Sequence, residues 1–311
     1  MTVLCFISAG LNFYGTLFAE ESAQSLNSSA DFDLRHEENS PLYFGNPSDA
    51  VCDISFCENY LMEKPQFSLS YNSAKLIPNW VAWHLCKDDL GNSDRSNKFR
   101  ADTELPEEWY AVGKNDYKYT MYGFDRGHLC PSADRTSNAE DNSVTFLMTN
   151  MVPQAPDNNR IVWVALEKYE RELTNQGYEL YIFAGPLGEG GTGDKGFFTK
   201  IPVNTNNSSN VKNFDAATTD FAGKILEISV PAFTWKIILA IPEGENDLHR
   251  IDENSIIIAA CIPNKNGCGK NKTWQDYICT VDYLEEACGY NFFELLDDDI
   301  ENYLESKIWE Q

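Results

Sequence analysis

The sequence predicts a single α+β domain over residues 41–311, built on a mostly antiparallel sheet flanked by helices. Short β-prone segments separated by turn residues recur along this range, and one longer segment near its middle has the apolar period of a helix. No internal repeat interrupts the pattern. The chain has 311 residues, of which 42% are hydrophobic, so it is long and apolar enough to bury a large core.

The strand predictions rest on alternating or continuous apolar residues bounded by turn residues. Polar and apolar side chains alternate at residues 66–72, which predicts a half-buried strand. Residues 93–102 are predicted to form a loop, and the glycine-rich residues 188–196 form another. The other predicted strands lie at residues 80–85, within 119–129, and at 144–150, 178–184, 224–230, 234–241 and 255–261.

One longer helix is predicted at residues 158–175. Its apolar side chains recur at spacings of four, three and four residues: Val162, Leu166, Tyr169 and Leu173. Asp157 or Asn158 is the predicted N-cap, and Gly177 follows the predicted end.

The chain is strongly acidic, with 48 Asp and Glu against 24 Lys and Arg and a net charge of −24. This balance excludes a basic surface that coats nucleic acid or grips an anionic membrane. The charge is uneven, because residues 281–311, where short acidic helices are predicted, hold ten acidic side chains and one lysine. Residues 121–171 hold five basic and seven acidic side chains, so this part of the surface is far closer to neutral.

Residues 1–19 have no charged side chain and are followed by a polar stretch at residues 20–40. This predicts a signal peptide and a linker, and with them a secreted, periplasmic or cell-surface protein with no membrane contact once mature. No Lys or Arg begins the segment, so the alternative is an organellar or cytoplasmic protein with an unprocessed N-terminus.

Removing residues 1–19 leaves eight of the nine cysteines, an even number that predicts disulfides of open connectivity. A zinc site is disfavoured because no Cys-x-x-Cys pair occurs.

The segment Gly123-Phe124-Asp125-Arg126-Gly127-His128 places a carboxylate, a guanidinium and an imidazole within four residues. A neutral imidazole can take a proton from water near pH 7, and a guanidinium can hold phosphate oxygens with two hydrogen bonds. Phosphodiester hydrolysis can use such a set. The alternative is an Asp–Arg ion pair beside a turn glycine, with His128 packed in the core.

A second group of polar residues lies on the predicted helix. Asn159, Trp163, Glu167 and Arg171 follow one another at four-residue spacing and are predicted to form one ridge. Asn159 offers a neutral oxygen ligand, and Glu167 can hydrogen-bond a water on a metal ion. A helix cap at Asn159 and a surface ion pair between Glu167 and Arg171 are the alternatives.

Together these segments resemble a known family. Asp-Arg-Gly-His at 125–128 and the pattern N-x-x-P-Q-x-x-x-x-N-x-x-x-W-x-x-x-E from Asn150 to Glu167 are similar to the DNA/RNA non-specific endonucleases, the ββα-metal or His-Me finger nucleases. The resemblance runs from about residue 42 to residue 308 and includes R-x-x-x-F-R-x-D at residues 95–102. It implies the ββα-metal fold and a sequence-non-specific endonuclease acting on DNA and RNA.

The resemblance also implies roles for individual residues. His128 is implied to be the general base that activates water, Asn159 the protein ligand of one Mg²⁺, for which Mn²⁺ can substitute, and Glu167 a partner of a metal-bound water. The residues implied to hold the phosphate and the leaving group are Arg95, Arg126 and Arg171, with Arg100 close to the first of them. The residues implied to orient or shape the site are Asp125, Asn150, Gln154 and Trp163.

The implied reaction leaves 5′-phosphate ends and needs no 2′-hydroxyl, so DNA and RNA are both expected substrates. No reader of base edges and no obligate protein partner is evident in the sequence. Two other readings stay open. One is a binding domain that kept the fold without catalysis, and the other is a phosphodiesterase for small nucleotides.

Overall fold

The computed structural model describes residues 37–203 and 226–310. The predicted signal peptide, residues 20–36 of the predicted linker and the first two residues of the strand predicted at 224–230 lie outside the described residues. Within the described part of the chain, no helix has the length and apolar character needed to cross a membrane.

The described residues form thirteen strands, and every pairing between them is antiparallel. They are β1 (Tyr60–Lys64), β2 (Phe67–Asn72), β3 (Ile77–Leu85), β4 (Asp125–His128), β5 (Met151–Gln154), β6 (Tyr178–Leu187), β7 (Gly191–Gly193), β8 (Gly196–Phe198), β9 (Lys200–Pro202), β10 (Glu227–Ser229), β11 (Phe233–Pro242), β12 (Ile256–Pro263) and β13 (Ile278–Cys279). Seven of them build one sheet in the order β1-β2-β3-β6-β11-β12-β13, and the others form the pairs β4–β5, β7–β8 and β9–β10.

The large sheet is buried on both faces. Along β6, Leu180 and Ile182 point into one apolar core, while Tyr181 and Phe183 point into the other. The strand predicted at residues 66–72 is confirmed as β2, but all six of its residues are buried, so the prediction that it is half-buried was wrong. The reason is that the chain covers both faces of the sheet, whereas alternation alone indicates cover on one face.

The helices of the described residues are α1 (Tyr119–Tyr122), α2 (Ala139–Val144), α3 (Val164–Asn175), α4 (Val281–Cys288) and α5 (Asp298–Glu305). The predicted acidic C-terminal helices are thus confirmed, and residues of this region, among them Val281 and Phe292, complete the second core. A π-helical turn, Asn158–Trp163, precedes α3. The predicted N-cap was wrong, because Asp157 has helical dihedrals and its carboxylate accepts a hydrogen bond from the amide of Gly267 instead.

Three further sequence predictions differ from the structure. Residues 144–150 are not a strand, because Asn150 bonds the backbone of Cys130 and Thr145 and closes a 3₁₀ turn there. The strand predicted at 178–184 continues to Leu187. Pro186 is tolerated because β3 no longer pairs with β6 at that point, so the proline nitrogen lies on an open edge. Residues 188–196 are not all loop, since they contain β7 and the start of β8.

The cysteines also differ from the prediction. All eight cysteines of the described residues are free thiols, so the predicted disulfides are not formed in the structure. The sulfur of Cys52 lies 3.4 Å from the hydroxyl of Tyr60 rather than against the nearby Cys57. Cys130 is buried directly after β4, where it packs in the core.

Candidate active site

A β-hairpin followed by a helix builds the candidate site. Strand β4 pairs with β5 so that Asp125 faces Gln154 and His128 faces Met151. Between them, Gly127 leaves no room for a side chain, since a Cβ there would lie 2.0 Å from Oε1 of Gln154. The Nε2 of Gln154 donates to Oδ1 of Asn158 at 2.7 Å, which ties the hairpin to the π-helical turn.

His128 is enclosed by aromatic rings, but its Nε2 forms no hydrogen bond with the described residues. Its residue is 7% exposed, and its ring lies 4.8 Å from the ring of Phe146 and 5.6 Å from that of Phe99. Its Nε2 is buried and has no hydrogen-bond partner among the described residues. Burial, which has the largest effect, and the charges of Arg95 and Arg126 together lower the pKa of His128 to about 3. The imidazole is therefore neutral at pH 7 and able to accept a proton.

Two arginines stack on the aromatic rings that enclose His128. The guanidinium of Arg126 lies 4.3 Å from the centre of Phe99, and that of Arg95 lies 4.9 Å from the centre of Phe146. Arg126 donates to the carbonyl of Lys114, while its Nε is buried with no partner among the described residues. Arg100, the other arginine close to Arg95 in the sequence, has a different role, because its guanidinium donates to the carbonyl of Ser143.

Asn159 is oriented by a charged neighbour. Its Nδ2 donates to Oδ2 of Asp125 at 2.9 Å, and the same carboxylate receives two hydrogen bonds from Arg160, at 2.8 and 2.6 Å. Because a carboxylate can only accept, the network fixes the amide with Oδ1 turned away from Asp125. Within the described residues this Oδ1 has no hydrogen-bond donor, so it is available as a ligand.

Glu167 is half-buried, and its carboxylate forms no hydrogen bond with the described residues. Burial raises the pKa of Glu167 to about 7; Lys236 opposes the shift and Asp134 adds to it. The Oδ1 of Asn159 and this carboxylate are two hard oxygen donors that receive no hydrogen bond from the described residues. Such a set fits a divalent cation that keeps most of its waters.

A fully buried ion pair, which was not predicted from the sequence, joins β11 to α3. Nζ of Lys236 donates to Oε1 of Glu170 at 2.7 Å, and neither side chain is exposed. The ammonium also lies 4.6 Å from a ring of Trp163 and 5.1 Å from one of Trp83. A signal was present in the sequence, because Lys236 is the one charged residue within the apolar strand predicted at 234–241.

Three further predicted site residues pack or pair within the fold. Trp163 is fully buried and lies off the predicted ridge, because the wider π-helical turn changes the spacing between Asn159 and α3. Arg171 donates to Oδ1 of the buried Asp134 at 2.6 Å instead of pairing with Glu167. Asn150 is also fully buried, and its amide is used by the backbone around β4.

Over most of its length the chain matches a family of known proteins. Residues 51–299 match the model of the family described as DNA/RNA non-specific endonuclease. A relative named "Nuclease" from Nostoc sp. (strain PCC 7120 / SAG 25.82 / UTEX 2576) is 42% identical over 267 residues, which cover 86% of this chain and 85% of the relative. "Nuclease EXOG, mitochondrial" from Mus musculus is 30% identical over 232 residues. The match covers 74% of this chain and 56% of the EXOG chain.

A solved structure supports the fold. A chain in the crystal structure titled "EndoG/EndoGI complex: Mechanism of EndoG inhibition" superposes with a TM-score of 0.61 at 21% identity, covering 83% of this chain and 91% of that one. The predicted ββα-metal fold is thereby confirmed. The chain belongs to the DNA/RNA non-specific endonuclease family and is, by that membership, a nuclease.

Proposed function

We propose that this nuclease hydrolyses phosphodiester bonds of DNA and RNA without sequence preference, leaves 5′-phosphate ends, and depends on Mg²⁺, for which Mn²⁺ can substitute. The observation that carries the proposal is the imidazole of His128. It is buried and uncharged, its Nε2 has no hydrogen-bond partner among the described residues, and it lies beside the two phenyl rings on which Arg95 and Arg126 stack.

His128 acts as the general base in this proposal. Its neutral imidazole takes a proton from water as the water attacks phosphorus, and the bond to the 3′-oxygen breaks. The guanidinium groups of Arg95 and Arg126 attract the phosphate and stabilise its developing negative charge. The two phenyl rings beneath them keep both arginines close to His128 and limit their movement.

Asn159 holds the divalent cation through Oδ1, and Asp125 positions that oxygen by accepting from Nδ2. When bound, the cation stabilises charge on the phosphate and on the leaving oxygen. Glu167 would be the second residue to hold the hydrated cation, through its carboxylate. Lys236 and Asp134 act on the Glu167 carboxylate only through their charges.

The proposed contacts are to the phosphate and not to the bases, so a broad range of nucleic acids is expected to be cut. Phosphate contacts position nucleic acid but carry no sequence information, and water as the nucleophile makes the 2′-hydroxyl unnecessary. The net charge of −24 keeps the affinity for nucleic acid modest, although screening over about 8 Å at physiological salt limits the repulsion.

The proposal is tested by incubating the purified chain alone with plasmid DNA, single-stranded DNA, RNA and a dinucleotide, with Mg²⁺ or with excess EDTA. We expect all three polymers to be cut and EDTA to stop the reaction. Cleavage of the dinucleotide alone would favour a small-nucleotide phosphodiesterase. No cleavage of any substrate would favour a binding domain that kept the fold.

Replacing Asn159 with alanine is expected to weaken cation binding more than it harms the chemistry. The ligand oxygen is lost while His128 and its arginines stay in place, so raising Mg²⁺ should restore part of the activity. The measurement is cleavage rate against Mg²⁺ concentration, with Asn302→Ala, an exposed position on α5, as the control. An unchanged Mg²⁺ dependence in Asn159→Ala would show that another group holds the cation.

His128 makes the stability of the fold depend on pH. Its pKa of about 3 rises toward 6.5 when unfolding exposes the ring, so the unfolded chain binds the extra proton. The contribution of His128 to the free energy of unfolding is complete above pH 6.5 and decreases as pH falls toward 3. Between pH 7 and pH 5 the decrease is about 2 kcal/mol. In urea unfolding, His128→Asn should lose about 2 kcal/mol less than wild type over this range. Equal losses would contradict the buried, neutral state.

We also infer export from the cell, because residues 1–19 are uncharged and a polar stretch follows them. The N-terminal sequence of protein recovered from the native host tests this inference. A chain that begins near Glu20 in the medium supports export, and a full-length chain retained inside the cell contradicts it.

A further inference from the structure

An exposed aromatic ring and an exposed guanidinium form a stacked pair beside the candidate active site. Tyr119 begins α1 and is 39% exposed, while Arg160 lies in the π-helical turn with 54% of its side chain exposed. The guanidinium carbon of Arg160 lies 5.0 Å from the centre of the Tyr119 ring. Both side chains are therefore partly exposed to solvent within this pair.

This pair is joined directly to the proposed cation ligand. Oδ2 of Asp125 accepts from Nδ2 of Asn159 at 2.9 Å and from Nε of Arg160 at 2.8 Å, so the two side chains share one oxygen atom. Nη2 of Arg160 also donates to Oδ1 of Asp125 at 2.6 Å. Asp125 already occupies the edge of the guanidinium that could hold a phosphate with two hydrogen bonds. Arg160 is therefore expected to contact a ligand through its flat face.

The Tyr119 ring is held in place by a separate set of contacts. Its hydroxyl donates to Oδ2 of Asp194, in the turn between β7 and β8. The amide of Asp194 donates to the carbonyl of Gly123, and its other carboxylate oxygen accepts from the side chain of Asn266. The ring is therefore ordered before any ligand binds, which reduces the entropy lost on stacking.

We propose that the Tyr119–Arg160 pair is a stacking platform for one base of a single-stranded nucleic acid, next to the phosphate that is cut. The proposal rests on the proposed function and extends it to a substrate class. Stacking on an aromatic ring and a guanidinium tolerates every base, because every base has a π face. A base paired within a duplex cannot reach the platform without leaving its stack, so the platform favours single strands over duplex.

The experiment compares two single-stranded oligonucleotides of equal length, one with bases and one made of abasic residues. Tyr119→Ala should lower kcat/KM at least about fivefold on the strand with bases and leave the abasic strand unchanged. Tyr119→Phe keeps the ring but loses the hydroxyl that orders it, so its loss on the strand with bases should be clearly smaller than that of Tyr119→Ala, and the abasic strand should again be unchanged. The matched control is Tyr303→Ala on α5, where an equally exposed tyrosine lies near the Lys307 ammonium; it should change neither substrate.

Three results would overturn the platform. They are no effect of Tyr119→Ala, an equal loss on both oligonucleotides, or a loss in Tyr119→Phe as large as in Tyr119→Ala. Binding of the same strands in EDTA separates this inference from the proposed function. If wild type cuts nothing, the nuclease proposal fails. Weaker binding of the base-containing strand alone by Tyr119→Ala would then still support the platform, and equal binding would refute it.

Discussion

His128→Ala is expected to lower kcat on DNA and on RNA by about 100- to 10,000-fold, which is the usual contribution of a general base. The substitution removes the proton acceptor but leaves Arg95, Arg126 and Asn159 in place. Binding of uncut DNA should therefore change little, and the pH–rate profile should lose an ionisation on its acidic limb. The measurement is single-turnover cleavage by protein whose folding has been checked by thermal unfolding.

Two further variants make this result specific. His249→Ala removes an exposed imidazole and should leave kcat unchanged. His128→Asn fills part of the space between the rings of Phe99 and Phe146, so it separates lost chemistry from lost packing. A folded His128→Ala enzyme with activity close to wild type would refute the assignment of the base.

Lys236→Met is expected to lower the free energy of unfolding by about 3–5 kcal/mol, the largest effect on stability among these predictions. Lys236 and Glu170 are both fully buried, and removing the ammonium leaves a carboxylate without its partner. Burial raises the pKa of Glu170 to about 8, while Lys236 pulls it down. The loss should grow as pH rises above about 8, because below that pH the buried carboxyl is protonated and neutral in both proteins, and Lys236→Met lacks the charge that lowers its pKa.

Urea unfolding of a matched set measures this effect. Lys168→Met removes an exposed lysine of α3 and should change stability by less than about 0.5 kcal/mol. The double variant Lys236→Met, Glu170→Gln removes both charges and should recover most of the loss. A loss below about 1 kcal/mol in Lys236→Met alone would show that the pair is dispensable.

The polar residues of the hairpin could be predicted from the sequence because they are local. Asp125, Arg126 and His128 fall within four residues. Strand β4, which contains them, pairs with β5, the next strand along the chain. The same holds for the helix that follows, whose period is clear from residue 162 onward. Residues this close in sequence also lie close together in the folded chain, because one pair of strands and one helix are enough to bring them together.

What the sequence could not predict depends on contacts between distant segments. Lys236 meets Glu170 across 66 positions, and Asn158 bonds Thr234 across 76. The π-helical turn moves Trp163 off the expected ridge, and a four-residue period cannot anticipate it. Phe99 and Phe146, which support both arginines, come from a predicted loop and a predicted strand that meet only in the folded chain. The second face of β2 likewise depends on a separate segment, because Ser70 on that face donates to Oδ1 of Asn59, which precedes β1.

Cleavage in ¹⁸O-labelled water tests the central claim most directly, since that claim is that water at this site attacks phosphorus in both DNA and RNA. The account predicts one ¹⁸O atom in the 5′-phosphate of every product end, from both polymers, read by mass spectrometry. A 2′,3′-cyclic phosphate on RNA, or the label in a 3′-phosphate, would contradict it.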